Sequence, residues 1–194
     1  MSDALSRCYS EDRPGTGAGV ATVDSDIQMQ AEVFTRRALR NKLGQFPTGV
    51  CVVTTRTPNG VPIGLTINSF APVSLQPPLV SWSLSERSAS LDVYRDCRHF
   101  AVSVLARSQE AVASRFANPG ILDKFEGVAT RRAFAGMPLV EGAVATFVCA
   151  TYRTWPVGDH LLIVGKVLQI DGGEAEPLVF HQGRFTSMPL QETT

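Results

Sequence analysis

Short stretches rich in β-branched residues recur along this chain from residue 49 onward, separated by turn sequences. Residues 49–55 (GVCVVTT) and 62–68 (PIGLTIN) flank the turn sequence TPNG at 57–60, and this arrangement predicts a hairpin. Further strands are predicted over residues 79–84, 99–105, 143–155, 160–171 and 177–185. About seven strands with few helices favour an antiparallel barrel or sandwich, because parallel strands need a crossover helix for each pair.

Three segments have helical character. Residues 30–46 carry apolar residues at helical spacing with arginines between them, so we expect an amphipathic helix that ends near Gly44 and Pro47. Two shorter helices are predicted over residues 88–96 and 108–116, where hydroxyl side chains, Ser108 among them, are available as N-caps.

The two ends of the chain differ from its middle. Residues 1–28 lack sustained periodicity and contain the cluster PGTGAG, which predicts a mobile N-terminal tail. At 194 residues the chain is long enough for one domain with a sizeable core, and we expect it over residues 29–188, followed by a C-terminal tail at 189–194.

Composition excludes several classes of function. Eighteen Lys and Arg balance eighteen Asp and Glu, so there is no net positive field to drive nucleic-acid binding. The longest apolar runs fall well short of the roughly 20 residues that span a bilayer, and no membrane span is expected. The N-terminus lacks the apolar region of a secretory signal, so we expect a cytoplasmic protein.

Cysteine and histidine spacing gives no support for a metal centre. The cysteines are far apart and form no C-x-x-C pair, so buried free thiols are favoured over disulfide, metal or redox roles. The histidines have no ligand spacing with one another or with a cysteine, and we expect no metal. No G-x-S-x-G, G-x-G-x-x-G or P-loop motif occurs. The residues concerned are Cys8, Cys51, Cys97, Cys149, His99, His160 and His181.

Three local features could bind a ligand, and each has an ordinary structural alternative. Residues 64–70 (GLTINSF) place small or hydroxyl residues where a strand meets a loop, which suits close approach to a flat ring or simple strand packing. Residues 83–90 (SLSERSAS) combine hydroxyls, Arg87 and a helix start, which suits a phosphate or a helix cap. His160 follows Gly158-Asp159 in a tight turn, where it meets a ligand or caps local backbone.

Taken together, these segments resemble the short-chain flavin reductase family, the reductase components that serve flavin-dependent hydroxylases. The matching pieces occur in the family's order and cover about residues 35 to 186. They are LGQFPTGV (43–50), VVTT (52–55), PIGLT (62–66), NSF (68–70), SL (74–75), PPLV (77–80), HFAV (99–102), RFA (115–117), DKF (123–125), GDH (158–160) and PLVFHQGRF (177–185).

The resemblance implies a mainly β fold with flanking helices, a six-stranded Greek-key split barrel of the FMN-binding type that forms a homodimer. It implies an NAD(P)H:flavin oxidoreductase in which NADH, rather than NADPH, reduces FMN or FAD for a partner flavin-dependent monooxygenase. The residues that it places along the flavin ring are Pro62, Ile63, Gly64, Leu65, Thr66, Asn68 and Ser69. The ribityl chain and ring edge would contact Ser83, Leu84 and Ser85. The phosphate would be held by Arg87, Ser88 and Ser90, with further contributions from Arg115, Phe116 and Lys124.

The Gly158-Asp159-His160 turn resembles the family's mark for NADH. The resemblance makes Asp159 a cofactor-binding residue and places His160, the expected catalytic residue, beside the nicotinamide over the flavin face. Arg184 and Phe185 would assist from the C-terminal segment, although Tyr is frequent in the family where this chain has Phe185. Hydride transfer is chemistry of the two cofactors, so the protein needs to stack them and exclude side reactions.

Two other readings of a split barrel are open at this stage. A non-catalytic flavin- or haem-binding carrier or sensor would hold its cofactor tightly and would have no use for the nicotinamide turn at His160. A relative of pyridoxine-phosphate oxidase would need more basic residues around a substrate phosphate than this sequence offers.

Overall fold

The computed structural model describes residues 34–188 of the chain. Within these residues the helices are α1 (Arg36–Leu43), α2 (Leu91–Asp96) and α3 (Glu110–Ala117). The strands are β1 (Thr48–Gly49), β2 (Cys51–Arg56), β3 (Pro62–Ile67), β4 (Ala71–Leu75), β5 (Pro78–Ser85), β6 (His99–Val104), β7 (Thr130–Arg132), β8 (Pro138–Val140), β9 (Ala145–Val157), β10 (His160–Gly172), β11 (Leu178–His181) and β12 (Arg184–Ser187).

One antiparallel sheet of seven strands, in the order β3-β2-β6-β9-β10-β5-β4, forms the body of the protein. β5 and β6 follow each other in the chain, yet β9 and β10 lie between them, which is a connection of the Greek-key kind. Side chains from β2, β3, β5, β6, β9 and β10 meet in a single buried cluster. The sheet is therefore curled around its own core, as the barrel prediction requires.

β3 and β4 are the two edges of the sheet, and the loop between them carries Ser69. The Ser69 hydroxyl accepts a bond from the backbone N–H of Ser83 on β5 (3.0 Å) and donates one to the Ser83 carbonyl (3.2 Å). These bonds tie the β3–β4 loop to β5 beside the β4–β5 ladder, and the predicted mainly β split barrel is confirmed.

Large aromatic side chains fill the barrel. Trp82 is fully buried and packs edge-on against Tyr94 (5.1 Å between ring centroids) and Phe100 (5.9 Å). The Tyr94 hydroxyl donates to the Val53 carbonyl (2.8 Å) and so ties α2 to β2. A Cβ at Gly165 would overlap the Phe100 ring, so β10 needs glycine at that position.

A second cluster lies where α3 contacts the outside of the barrel. It joins Val50 and Val52 to Ala113 and Phe116 of α3, and Leu178 of β11 packs with them. β11 belongs to a three-stranded sheet with β1 and β12, and β7 and β8 form a separate pair. The cluster holds α3 beside β3, which becomes important for the site.

Most predicted elements are confirmed, with differences at their ends. The hairpin of β2 and β3 forms as predicted, and residues 177–185 form two strands that meet at the Gln182-Gly183 turn, where both residues have positive φ. β4, β7 and β8 were not predicted. The first helix begins at Arg36 within the described residues, whereas the prediction began at residue 30, outside them.

The predicted hydroxyl caps are wrong. Ser90 occupies the N-cap position of α2, but its side chain makes no capping bond. Ser108 lies inside a 3₁₀ turn, Arg107–Gln109, that precedes α3. There the Gln109 side-chain oxygen accepts a bond from the Ala106 N–H (2.9 Å), so a side chain inside the turn satisfies a free backbone donor at its start.

Cysteine burial agrees with the free-thiol prediction within the described residues. Cys51 and Cys149 are buried, Cys97 is partly buried, and each is unpaired. Burial raises the pKa of the Cys51 and Cys149 thiols to about 12. Cys8 and the predicted tails at 1–28 and 189–194 lie outside the described residues.

Neither a membrane helix nor a metal cluster is found in the part of the chain that the structure covers. The helices between residues 34 and 188 are too short and too polar to cross a bilayer. Over the same range, no three side chains of His, Cys, Asp or Glu group closely enough to hold a metal ion.

Candidate functional site

A cleft of about 850 Å³ lies between β3, the segment that joins β5 to α2, and the loop that follows α3. This volume is in the range of small-molecule and cofactor sites. The cleft is lined by Val61, Pro62, Ile63, Gly64, Leu65, Thr66, Arg87, Ser88, Ala89, Ser90, Phe116, Ala117, Pro119, Ile121, Leu122, Asp123, Lys124 and Phe125.

The backbone of β3 forms one wall of the cleft. Among the described strands β3 pairs only with β2, because it is an edge of the sheet. Alternate N–H and C=O groups on its other side therefore make no ladder bond and are available to a ligand. The Thr66 hydroxyl donates to the Ala113 carbonyl (2.7 Å), so the Thr66 side chain anchors α3.

Gly64 is the point of closest approach between β3 and α3. A Cβ at this position would lie 2.5 and 2.8 Å from two Phe116 ring carbons and 3.3 Å from Phe125. Phe116 is fully buried and packs edge-on against Phe125 (5.0 Å, 89°). Glycine at position 64 is what lets these two rings form the apolar floor of the cleft.

Serine hydroxyls and one arginine line the opposite end. Arg87 is exposed and forms no salt bridge with any residue between 34 and 188, so its guanidinium is free to bind an anion. Ser88 and Ser90 are partly buried beside it, and the Ser88 hydroxyl accepts the Ser90 N–H (3.3 Å). α2 has only six residues, so its dipole is weaker than that of the nine-residue helix the sequence predicted.

The loop after α3 is held in place by two basic residues. Lys124 lines the cleft, and its ammonium donates to the Phe116 carbonyl (2.8 Å); partial burial lowers the pKa of Lys124. Arg115 lies outside the cleft lining, where its guanidinium donates to the carbonyls of Lys124 (3.0 Å) and Asp123 (2.8 Å). Arg115 thus fastens the loop that carries Lys124.

The Gly158-Asp159-His160 turn joins β9 to β10 and lies next to the segment that follows β5. Gly158 has φ +60°, a conformation that favours glycine, and it lets the two long strands turn tightly. His160 is paired with Ser85 in the β10–β5 ladder, and the Glu86 N–H donates to the Asp159 carbonyl (3.0 Å). The two segments whose proximity the resemblance requires are therefore bonded to each other.

Asp159 and His160 form a close side-chain pair. The His160 Nδ1 lies 2.6 Å from the Asp159 Oδ1, and the His160 ring is about half exposed. This hydrogen bond and the charge of His160 lower the pKa of the Asp159 carboxyl, and Arg87 lowers it further. The Asp159 carboxylate in the turn and the Arg87 guanidinium in the neighbouring segment thus interact electrostatically.

The remaining predicted residues lie beside the cleft or apart from it. The predicted residues outside the cleft lining include Asn68, Ser69, Ser83, Ser85, Asp159 and His160, and Leu84 is buried in the barrel core. Arg184 and Phe185 belong to β12, where Phe185 packs against Phe180 (5.7 Å between centroids). Sequence reasoning missed Ile121 and Leu122, because the loop that holds them has no periodic pattern.

Comparisons with known proteins agree with this architecture. Residues 43–189 match the family model described as the flavin reductase like domain. The chain is 42% identical over 149 residues to FMN reductase (NADH) SmoA of Agrobacterium fabrum, covering 77% of this chain and 84% of that protein. It is 38% identical over 158 residues to the reductase component of the flavin-dependent trigonelline monooxygenase of Acinetobacter baylyi, covering 81% of this chain and only 50% of that protein.

A solved structure extends the likeness to three dimensions. The NADH:FAD oxidoreductase SgcE6 of Streptomyces globisporus C-1027, solved in complex with NAD and FAD fragments, superposes with a TM-score of 0.77 at 36% identity. The match covers 84% of this chain and all of that one. Because the family model spans most of the chain and the fold agrees, this protein belongs to the flavin reductase family.

Proposed function

We propose that this flavin reductase binds FMN or FAD in the cleft beside β3, reduces it with NADH bound near His160, and releases it to a partner monooxygenase. One observation carries the proposal. β3 and the Arg87 segment line one cleft, and the His160 turn is bonded to Ser85 and Glu86 directly before Arg87, although the three are far apart in the chain.

The residues of the cleft fit a flavin. An isoalloxazine ring is flat and has polar edges, which suits the unpaired backbone groups of β3 and the apolar floor of Phe116 and Phe125. A phosphate group requires cationic and hydroxyl donors, which Arg87, Ser88 and Ser90 supply. With its ammonium beside the same cleft, Lys124 adds positive charge.

The His160 turn fits a nicotinamide next to that flavin. His160 is half exposed and is linked through the Ser85 ladder pair to the segment that carries Arg87. As the first residue of β10, His160 keeps part of its ring accessible to a second planar group. A pure flavin carrier would not need such a group beside its cofactor.

A bound pair of NADH and flavin supplies the hydride-transfer chemistry itself. The chain's residues provide binding and orientation: His160 orients the nicotinamide, and Arg87 with the two serines holds the phosphate. Backbone N–H groups near Thr66 and Asn68 stabilise negative charge at the edge of the flavin ring. Phe116 and Phe125 exclude water from the floor of the cleft. No general base is required in this arrangement.

We further propose a homodimer in the cytoplasm. Large apolar side chains are exposed at the end of the β9–β10 hairpin next to the candidate nicotinamide turn, including Tyr152 (49%), Trp155 (43%) and Val157 (57%). Several large apolar side chains exposed on one hairpin are typical of an interaction site. Sedimentation at several protein concentrations will test the dimer; a monomer at every concentration would contradict it.

The central experiment measures NADH oxidation by purified protein with free FMN or FAD. We expect oxidation well above the buffer blank, and a His160→Ala variant that is strongly impaired with NADH yet still binds flavin. Arg107→Ala is a matched control, because it removes an exposed ion pair with Glu176 remote from the cleft.

Two outcomes would contradict the proposed function. NADH oxidation no faster than the blank would exclude a reductase. Tight stoichiometric flavin with no turnover, and a His160→Ala variant that behaves like the parent, would indicate a carrier or sensor instead. If the reductase is active, adding a candidate monooxygenase and its substrate tests delivery by measuring product formed per NADH consumed.

A further inference from the structure

The contact between Asp159 and His160 determines which ring nitrogen of His160 carries the proton. Asp159 is fully exposed, and its carboxyl has a lowered pKa because it bonds to His160, so the group is an ionised carboxylate near neutral pH. An ionised carboxylate can only accept hydrogen bonds. The 2.6 Å contact therefore requires a proton on His160 Nδ1.

We propose that Asp159 is a positioning residue for His160: it holds the ring through Nδ1–H and leaves Nε2 as the nitrogen that meets the nicotinamide. The inference rests on the proposed binding of NADH beside His160. It differs from the role that the resemblance gives Asp159, since here the carboxylate acts through the histidine and not on the cofactor.

The backbone around the pair is well fixed, which a positioning role requires. The Glu86 N–H bonds to the Asp159 carbonyl (3.0 Å), and His160 is paired with Ser85 on one side and with Val157 on the other. Gly158 sets the turn with its positive φ. Neither Asp159 nor His160 can therefore shift along the strand without breaking ladder bonds.

The charged groups around the turn favour the same arrangement. Arg87 acts on Asp159 and helps to keep it ionised, and Glu86 is the other ionisable residue bonded to the turn, through its backbone. The strand positions opposite His160 are Ser85 and Val157, which carry no charge. Asp159 is thus the carboxylate that bonds to the His160 ring in the described chain.

The orientation has a chemical consequence for the ligand. In a neutral ring whose Nδ1 carries the proton, Nε2 has a lone pair and accepts a hydrogen bond. The amide N–H₂ of a nicotinamide carboxamide is a donor and has the matching chemistry. An unheld imidazole also populates the tautomer with its proton on Nε2, which cannot accept that bond, so loss of Asp159 should weaken recognition of the carboxamide.

The first test uses the free protein and needs no cofactor. In ¹⁵N spectra of the His160 ring, recorded at a pH where the ring is neutral, we expect protonated Nδ1 and unprotonated Nε2 in the parent. Asp159→Ala should shift the ring toward the Nε2–H form. Asp171→Ala is the matched control, because Asp171 is an exposed, ion-paired carboxylate at the opposite end of the same strand. A parent ring protonated on Nε2 would overturn the proposal.

The second test separates action through His160 from an independent role. Asp159→Ala should raise the KM for NADH roughly fivefold, about the effect of one lost hydrogen bond, with the flavin Kd unchanged. In a His160→Ala background the same substitution should have no effect on the KM. An equal fivefold effect in both backgrounds would show that Asp159 contacts the nucleotide directly and would refute the proposal.

The two tests also separate this inference from the proposed function. If the parent protein does not oxidise NADH with any flavin, the proposed function fails, while the ring spectra still decide whether Asp159 sets the tautomer. If the parent is active and the spectra are unchanged by Asp159→Ala, the reductase stands and the positioning role does not.

Discussion

Replacing Gly64 by alanine should destabilise the protein through a single contact that the structure defines. The added methyl would lie 2.5 and 2.8 Å from two Phe116 ring carbons, whereas carbon atoms in ordinary contact are about 3.5 to 4.0 Å apart. The Phe116 ring must therefore move by about 1 Å. It is fully buried and wedged against Phe125, so the displacement cannot be absorbed by solvent.

The expected loss follows from two opposing terms. Overpacking of a buried site costs about 1 to 3 kcal/mol. Alanine recovers about 0.5 to 1 kcal/mol relative to glycine in a strand, because it restricts the unfolded chain. The middle values of the two terms leave a fall of about 1 kcal/mol in the free energy of unfolding, with a weaker flavin affinity because the two rings form the floor of the cleft.

Urea unfolding followed by tryptophan fluorescence measures this loss, and the m value should stay unchanged. Gly49→Ala is the matched control, since a Cβ at Gly49 would have no neighbour within 4 Å among residues 34–188. The double variant Gly64→Ala with Phe116→Leu should lose less stability than the sum of the two single variants, because the smaller side chain makes room for the methyl. A Gly64→Ala protein within about 0.5 kcal/mol of the parent, or strict additivity in the double variant, would refute the reasoning.

Arg87→Ala should raise the Kd for FMN roughly tenfold by removing a charged donor to the phosphate, as measured by quenching of flavin fluorescence; an unchanged affinity would place the phosphate elsewhere. Cys51 and Cys149 should resist thiol reagents in the native protein until the pH approaches 12, because burial holds both thiols protonated, and peptide mapping after labelling checks this. Rapid labelling of either thiol at neutral pH would show that the barrel opens. Tyr94→Phe should cost about 1 to 2 kcal/mol of stability by removing a buried hydrogen bond, and urea unfolding would contradict this if the midpoint stayed the same.

The strands of the barrel were predictable because their signal is local. To predict the hairpin of residues 49–68, the β-branched runs and the TPNG turn between them were sufficient. Both long strands of the β9–β10 hairpin were predictable from apolar runs bounded by turn residues. β4 was missed because Ala71 and Pro72 weaken its strand pattern. The strand forms nevertheless because it lies at an edge of the sheet, where proline is tolerated. The caps failed for another reason: which side chain reaches a free N–H depends on the exact backbone path.

The parts of the candidate site divide in the same way. The Gly158-Asp159-His160 turn and the serine-rich segment at 83–90 could be read from neighbouring residues, because turn chemistry and hydroxyl clusters are local properties. The role of Arg115 could not be predicted from its neighbours in the sequence. Its guanidinium binds the carbonyls of a loop eight and nine residues away, and the sequence gives no sign of which way that loop folds back.

Residue order therefore specified the chemistry available to this chain, since turns, strand runs and hydroxyl clusters depend on close neighbours. Folding alone decided which of those groups share a cleft. The ladder of β5 and β10 brings Ser85 to His160 across 75 positions of sequence, and α3 sets Phe116 against Gly64 across 52. Such contacts depend on long-range strand pairing and side-chain packing, whose free energy exists only once the barrel has closed.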